Sequence, residues 1–242
     1  MELSLSLRKK IGLAVGRFKM ISPGDRIMIG LSGGKDSLVM TAALAGLKRR
    51  SPVPFSLSAC FVDVSGGAGD TEELENFCRS LDIPFAVRGH PIEKIIKDRN
   101  ERSPCSFCAN IRRGILNTAA LDEGCNLLAL GHNLDDAAET ALMNLFQTGR
   151  FKSFKPKLWQ SRTGMTVIRP LVLAEERKIA REARRLGLPV MEYVCPFSLD
   201  TERVRAKKTL EMLGAANPAA KYNIIRALQR LDEGDRWEEP AG

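Results

Sequence analysis

The hexapeptide Ser32-Gly33-Gly34-Lys35-Asp36-Ser37 gathers the residue types that hold a phosphate. Gly33 and Gly34 have no Cβ to keep an anion away from the backbone, Lys35 adds a full positive charge, and Ser32 and Ser37 add hydroxyl donors. Asp36 opposes an anion until a divalent cation stands between the two, so it is a candidate magnesium ligand. A second set is Cys105-Ser106-Phe107-Cys108, where two thiolates three residues apart can close on one metal. Cys195, in a loop before Pro196, offers a third thiolate. Three thiolates suit an iron–sulfur cluster with one open iron or a zinc with one open site; redox or persulfide chemistry and inert thiols are the alternatives. The third set is Gly131-His132-Asn133-Leu134-Asp135-Asp136. Gly131 permits a ligand to approach the backbone. His132 is either a structural histidine or a nucleotide contact. Asp135 and Asp136 are either helix-capping carboxylates or groups for magnesium binding and proton transfer.

These residues need elements to position them. Ile27–Leu31 is a short apolar run after Pro23-Gly24-Asp25 and reads as a buried strand of a parallel sheet. The Ala/Leu-rich run after the loop, to about Leu47, reads as a helix, which gives the strand–loop–helix order of a phosphate site. Phe55–Val64 reads as a second strand ending at Asp63, followed by a flexible Ser65–Gly69 loop and a helix to about Leu81. Ile83–Val87 is a third strand, a helix starts near Ala109, and Leu127–Leu130 is a fourth strand. The alternation predicts an α/β fold with a doubly wound parallel sheet, whose ligands lie beyond the C-terminal strand ends, with an N-terminal helix and a helical C-terminal part. Leu3, Leu7, Ile11, Val15 and Phe18 recur at a helical period among basic residues, so 1–22 is an amphipathic basic helix. Residues 23–232 form the main domain and 233–242 a disordered tail. Cys60, Cys78 and Cys125 fall in strands and helices without ligand spacing and read as small core residues.

The sequence has 242 residues, of which 44% are hydrophobic, enough for one large α/β domain, and no apolar run approaches a membrane span. The N-terminal residues lack the basic-then-apolar order of a secretory signal, so a cytoplasmic location without a membrane is expected. Six cysteines are too few for a disulfide scaffold. The net charge of +8 is unevenly placed. Thr140–Ala174 has no acidic residue and six basic ones: Arg150, Lys152, Lys155, Lys157, Arg162 and Arg169. Phe151, Phe154 and Trp159 punctuate that stretch, and the combination suits a polyanion such as RNA. The alternation of signs in Glu175–Arg185 reads instead as a solvated helix face.

The hexapeptide is not a Walker A loop, which needs G-x-x-x-x-G-K-[ST]. It is the signature of the PP-loop ATP pyrophosphatases, which this segment resembles closely. With Pro104–Cys108, Arg112-Arg113-Gly114, Gly131-His132-Asn133 with Asp135-Asp136 and Glu139-Thr140, Met143–Phe146, Lys155-Pro156-Lys157 and Ile168–Leu171, the sequence resembles one branch, the tRNA 2-thiocytidine synthetase (TtcA) family. The resemblance runs from about residue 8 to about residue 230. It implies an ATP-dependent thiolation of an anticodon-loop cytidine, in which AMP is placed on a carbonyl oxygen and pyrophosphate leaves. It implies ATP contacts from Leu31, Ser32, Gly33, Gly34, Lys35, Asp36, Ser37, Asp63, Gly131, His132 and Asp136, with Lys35, Asp36 and Asp136 catalytic and magnesium at Asp36. It implies a [4Fe-4S] cluster on Cys105, Cys108 and Cys195. The expected partners are tRNA, met by Arg112, Arg113, Arg150, Lys152, Lys155 and Lys157, a sulfur donor (a cysteine desulfurase or sulfide source) and a second copy in a homodimer.

One feature departs from the pattern. A Cys-x-x-Cys is expected around the third ligand, whereas here Cys195-Pro196-Phe197 has no second cysteine. A lone Cys-Pro is more like the TtuA-like thiouridine synthetases, which however carry zinc-finger cysteines at both chain ends; this sequence has none before Cys60 and none after Cys195. A TtuA-like 2-thiouridine synthetase, a sulfurtransferase working through a cysteine persulfide, and a non-catalytic RNA- or nucleotide-binding protein are the alternatives. The intact loop speaks against the last.

Overall fold

Five of the six residues of Arg26–Leu31 are buried, which is what a central parallel strand covered by helices on both faces requires. This is β1, preceded by α1 (Leu5–Arg17) and followed by α2 (Lys35–Lys48). The chain continues through β2 (Ser56–Asp63), α3 (Glu72–Ser80), β3 (Phe85–Gly89), α4 (Ile92–Asp98), α5 (Pro104–Asp122) and β4 (Leu127–Ala129). Then come α6 (Leu134–Thr148), β5 (Lys157–Gln160), β6 (Met165–Ile168), α7 (Glu176–Arg185), α8 (Glu202–Ala216) and α9 (Ala220–Gln229). The computed structural model describes residues 1–67, 70–101, 103–191 and 202–230. The tail expected at 233–242 and the third thiol candidate, Cys195, lie outside the described residues.

The strands form one sheet in the order β3-β2-β1-β4-β6-β5. Every pairing is parallel except β5 with β6. Met28 lies in register with Ser58 on one side and Leu128 on the other. The strand order reverses between β1 and β4, so a crevice opens where these two strands end. The doubly wound parallel sheet is therefore as expected, with one antiparallel edge strand added. Several elements differ from expectation. The β5–β6 hairpin and α4 were not anticipated, and β3 starts at Phe85 because Pro84 has no N–H and can only accept at the strand entry, from the amide of Ala59 at 2.8 Å. The helix expected near Ala109 starts at Pro104, because proline is preorganised for a first helical turn and lacks only an N–H that the turn would leave unpaired.

The chain divides into two compact units. The first comprises Met1–Leu134 and Lys155–Ser198 and contains the sheet. Its core sets Met28, Leu128 and Val167 of the strands against Ile92, Ile96 and Leu116 of α4 and α5. Cys60, Cys78 and Cys125 are buried, as small core residues should be. The second unit comprises Asp135–Phe154 and Leu199–Gly242. There, Ala138 and Leu142 of α6 pack with Leu210 of α8 and Ile224 of α9. Among the described residues no helix is long and apolar enough to cross a membrane.

The amphipathic helix α1 buries Leu7, Ile11 and Ala14 and is held at its start by a carboxylate. Glu182 of α7 accepts the backbone N–H of Ser4 at 2.6 Å and a guanidinium N–H of Arg185 at 2.6 Å, while Arg185 also donates to the carbonyl of Glu2. Burial favours the neutral acid at Glu182, but the hydrogen bonds from Arg185 and Ser4 outweigh it and bring its pKa below 4.5. A carboxyl lowered in the folded state contributes stability above its unfolded pKa, and that contribution is lost as pH falls through the folded value. Glu182→Gln should therefore cost about 1 kcal/mol at neutral pH, roughly 2–4 °C in Tm. The difference from the wild type should vanish in melts taken at progressively lower pH below 4.5.

Candidate active site

The loop between β1 and α2 is built by its own serines. The Ser37 hydroxyl donates to the carbonyl of Gly34 at 2.9 Å and accepts the amide of Ser32 at 3.1 Å. The Ser32 hydroxyl donates to Ser37 at 3.1 Å and accepts the amide of Gly34 at 3.4 Å. Ser37 is buried, so it shapes the loop rather than offering its hydroxyl outward as the sequence suggested. Gly33 has a φ of +77°, a conformation that an L side chain adopts at a cost of roughly 1–2 kcal/mol. A Cβ at Gly33 would also lie 2.5 Å from the sulfur of Met191, whose amide donates to the Gly33 carbonyl at 3.0 Å. Gly34 is the N-cap of α2, and among the described residues no side chain caps it. The first amides of α2 therefore lie open to an anion, at the positive end of the helix.

Lys35 and Asp36 stand in the first turn of α2 rather than in a loop before it, and a third charged residue joins them. The Lys35 ammonium donates to Glu176, the first residue of α7, at 2.9 Å and to Asp36 at 3.1 Å. Burial works against the charge on Lys35, but Asp36 and Glu176 outweigh it and hold the ammonium above its ordinary pKa. The other Asp36 oxygen accepts the side-chain amide of Asn133 at 3.1 Å. Asn133 is buried and comes from the segment between β4 and α6, so the two strands flanking the crevice share one carboxylate. Neither Glu176 nor the contact role of Asn133 was foreseen. Glu176 lay hidden in a mixed-sign helix, and the signal was its place in a Glu175-Glu176 pair at the helix start. Asp36 and Glu176 converge on one cation from two elements, and their oxygens suit a hard divalent ion such as magnesium.

Gly131, expected to let a ligand approach the backbone, is also a point where the backbone meets α2. A Cβ there would meet the amide of Ser37 at 3.1 Å and the carbonyl carbon of Asp36 at 3.2 Å, so the close approach is to α2 itself. His132 follows, and its Nδ1 accepts Nε–H of Arg169 at 3.3 Å. Arg169 also donates to the carbonyl of Lys155 at 2.7 Å. It is buried, and burial together with the charge of Arg113 lowers its pKa to about 10. Arg169 therefore leaves the surface that the acid-free stretch was expected to present to a polyanion. Asp63 ends β2, and its carboxylate orders the loop after it: one oxygen accepts the amide and hydroxyl of Ser65, at 2.9 and 2.6 Å, the other the amide of Gly67 at 2.7 Å. Leu31 is buried at the end of β1.

Cys105 and Cys108 lie one helical turn apart at the start of α5, not in a loop before it, and so on one face. Cys105 is exposed and Cys108 half-buried, with Cys108 and Phe107 resting on the core of the first unit. Arg99 stands over the Phe107 ring, 5.9 Å from its centre, and so ties the end of α4 to this turn. Soft sulfur donors on one face fit two of three ligands of an iron–sulfur cluster. Among the described residues, no group of three or more Cys, His, Asp or Glu stands together as a metal site.

Asp136 belongs to the second unit, where its carboxylate lies 3.8 Å from the guanidinium of Arg203. Asp135 pairs with Lys221 and so fastens α9 to α6. Of the expected RNA contacts, Arg113, Lys155, Arg150 and Lys152 are exposed, the first two on the first unit and the others on the second. Arg112 is half-buried. Lys157 is half-buried as well, and its ammonium donates to the carbonyl of Lys19 after α1.

A phosphate-binding turn at the reversal point of a parallel sheet, with a lysine and two carboxylates at the helix start, defines a class of nucleotide-binding protein. The PP-loop domain (ATP_bind_3) matches residues 7–194. The chain belongs to the PP-loop family and, within it, to the tRNA 2-thiocytidine synthetase (TtcA) branch. It is 39% identical over 226 residues to the tRNA-cytidine(32) 2-sulfurtransferase of Geobacter sulfurreducens, covering 92% of this chain and 88% of the relative. With the protein of the same name from Pelobacter propionicus, identity is 40% over 230 residues, covering 93% and 85%. Among solved structures, the U34-tRNA thiolase NcsA from Methanococcus maripaludis with its [4Fe-4S] cluster superposes with a TM-score of 0.78 at 29% identity, covering 97% of this chain and 80% of that one. An NH3-dependent NAD synthetase from Campylobacter jejuni, at 16% identity and a TM-score of 0.50, covers all of both chains and shares the fold.

The thiols differ in a way that chemistry can read. Burial pushes Cys60 up to about 11 and Cys78 up to about 12, and only a thiolate alkylates readily. In iron-free protein at neutral pH, iodoacetamide should modify Cys105 and leave Cys60 and Cys78 untouched until the protein is denatured, as peptide mass spectrometry would show.

Proposed function

We propose that this protein is an ATP-dependent tRNA sulfurtransferase that replaces the C2 oxygen of an anticodon-loop cytidine with sulfur. Oxide is a poor leaving group, so the oxygen must first be activated. The C2 oxygen attacks the α-phosphorus of ATP and pyrophosphate leaves. A hydrosulfide then adds at C2, AMP departs with the oxygen, and the proton of the hydrosulfide is released. The observation that carries this reading is the loop at the β1–β4 crevice with Lys35 between Asp36 and Glu176, in a chain similar to cytidine sulfurtransferases along most of its length.

In this reading the α2 amides and Lys35 hold the phosphates and stabilise charge on the departing pyrophosphate. Asp36 would hold magnesium, which when bound draws charge from the phosphate oxygens. Gly131 and Asn133 keep the start of α2 and its carboxylate in place. The role assigned to Asp136, orienting the metal or moving a proton, rests on the family resemblance. Cys105, Cys108 and Cys195 would hold a [4Fe-4S] cluster, which with three thiolates supplies an open iron for sulfide. A sulfide source or a cysteine desulfurase provides the sulfur, and the reading includes a homodimer in the cytoplasm. A 2-thiouridine product is the second reading, favoured by the likeness to NcsA; the relatives named for cytidine are more similar in sequence.

Lys35→Ala should abolish AMP formation while the protein stays folded, since the part-exposed ammonium contacts carboxylates rather than the core. Nucleoside mass spectrometry of tRNA from a strain carrying only this variant should show no 2-thiocytidine; unchanged 2-thiocytidine would sink the loop assignment, and loss of 2-thiouridine instead would select the second reading. If the four exposed cations Arg113, Arg150, Lys152 and Lys155 each contact a phosphate, tRNA affinity should fall on the order of a hundredfold between about 50 and 200 mM salt. Filter binding across that range checks it.

A further inference from the structure

The side-chain charges of Lys35, Asp36 and Glu176 do not by themselves favour an anion. Lys35 is positive, but Asp36 and Glu176 both lie against its ammonium, at 3.1 and 2.9 Å. The three groups together carry one net negative charge. About a third of the Lys35 side chain is exposed, with 27% of Asp36 and 28% of Glu176, so an arriving ligand can reach all three. Asp36 is fixed from behind by Asn133 and keeps one oxygen for Lys35. Glu176 reaches the loop from another element, α7. Its neighbour Glu175 is buried and turned to Arg177 and Lys178, both at 2.7 Å, so the two glutamates have separate tasks. Holding Lys35 over the loop would need one carboxylate, and Asp36 already supplies it. A second carboxylate beside a phosphate site is unfavourable by simple electrostatics unless the phosphate arrives with positive charge of its own.

We propose that Glu176 is a specificity-determining residue that makes the loop reject metal-free polyphosphate and accept it only as the complex with a divalent cation. Metal-free ATP must draw Lys35 from both carboxylates and then lie against two negative charges. In the magnesium complex the cation answers those carboxylates, and Lys35 is released to the phosphate oxygens. Glu176 thus ties occupancy of the loop to the form of the nucleotide that is chemically competent, because the metal is what neutralises the departing pyrophosphate. The inference rests on the nucleotide-binding reading above and adds a role for a residue outside the loop.

The test is binding, not turnover. Affinities for ATP are measured by calorimetry with excess magnesium and with EDTA, for the wild type, Glu176→Gln and Glu176→Asp. The wild type should prefer the magnesium complex strongly. Removing one negative charge in Glu176→Gln should tighten binding of metal-free ATP by about tenfold, the effect of roughly 1.4 kcal/mol. Binding of the magnesium complex, in which Glu176 faces the cation, should not tighten, so the preference shrinks. Glu176→Asp keeps the charge and should keep the preference, and it alone decides the matter if the glutamine variant does not fold: loss of the preference in a folded Glu176→Asp would overturn the proposal. Equal weakening of both forms in Glu176→Gln would also overturn it and leave Glu176 as a positioning group for Lys35. A wild type that binds magnesium ATP without any shift in Glu176→Gln would overturn the inference alone. A wild type that binds neither form would overturn the nucleotide reading beneath it.

Discussion

The site depends on one close approach between two stretches of backbone. Gly131, just past the end of β4, lies so near the first turn of α2 that a Cβ would come within 3.1 Å of the Ser37 amide. Only glycine permits that spacing without a shift of backbone. Because the two stretches meet there, Asn133 reaches Asp36 and the end of β4 becomes one wall of the phosphate loop. A methyl group at residue 131 would push the wall from the helix and take the amide of Asn133 with it. The sheet register sets this contact from below, since Met28 and Leu128 are paired neighbours in β1 and β4.

Charge is arranged around the loop with more opposition than a plain anion site needs. The lysine at the helix start is balanced by two carboxylates, and the buried Arg169 donates to His132 and to the carbonyl of Lys155. With its Nδ1 accepting from Arg169, His132 carries its ring proton on Nε2, so it faces its surroundings as a donor on that side. The rigid, planar guanidinium reaches the His132 ring and the Lys155 carbonyl at once, which the single ammonium of a lysine would do less well.

Much of this was legible in sequence, and the reason lies in how locally each feature is encoded. The strand, loop and helix from Ile27 to Leu47 announce themselves by an apolar run, a glycine pair and an alanine-rich stretch, all contiguous. Cys60, Cys78 and Cys125 were separable from Cys105 and Cys108 because burial and metal spacing leave different neighbours. What sequence could not show was pairing at a distance. Glu176 lies 141 positions from Lys35, and nothing in its helix distinguishes it from Glu175 until the fold turns one to the loop and the other to Arg177 and Lys178. The basic stretch misled for a related reason. Arg169 and Lys157 carry the same formal charge as Arg150, but one is buried and the other tethered to the end of α1. The β5–β6 hairpin was missed because its strands are four residues each, too short for a period-two pattern to stand out.

The strand order carries a consequence for how the chain is made. β1, β2 and β3 are consecutive in sequence and adjacent in the sheet, so the segment through Gly89 can pair as it leaves the ribosome. The other neighbour of β1 is β4, about a hundred residues downstream of it, and pairing over such a separation is entropically slow. Until residue 131 has been synthesised the phosphate loop has one wall, and until residue 176 its lysine lacks one of its two carboxylates. A nascent chain that has reached only β3 therefore has the loop's sequence without its selectivity, and the nucleotide site matures only when the later half of the first unit arrives.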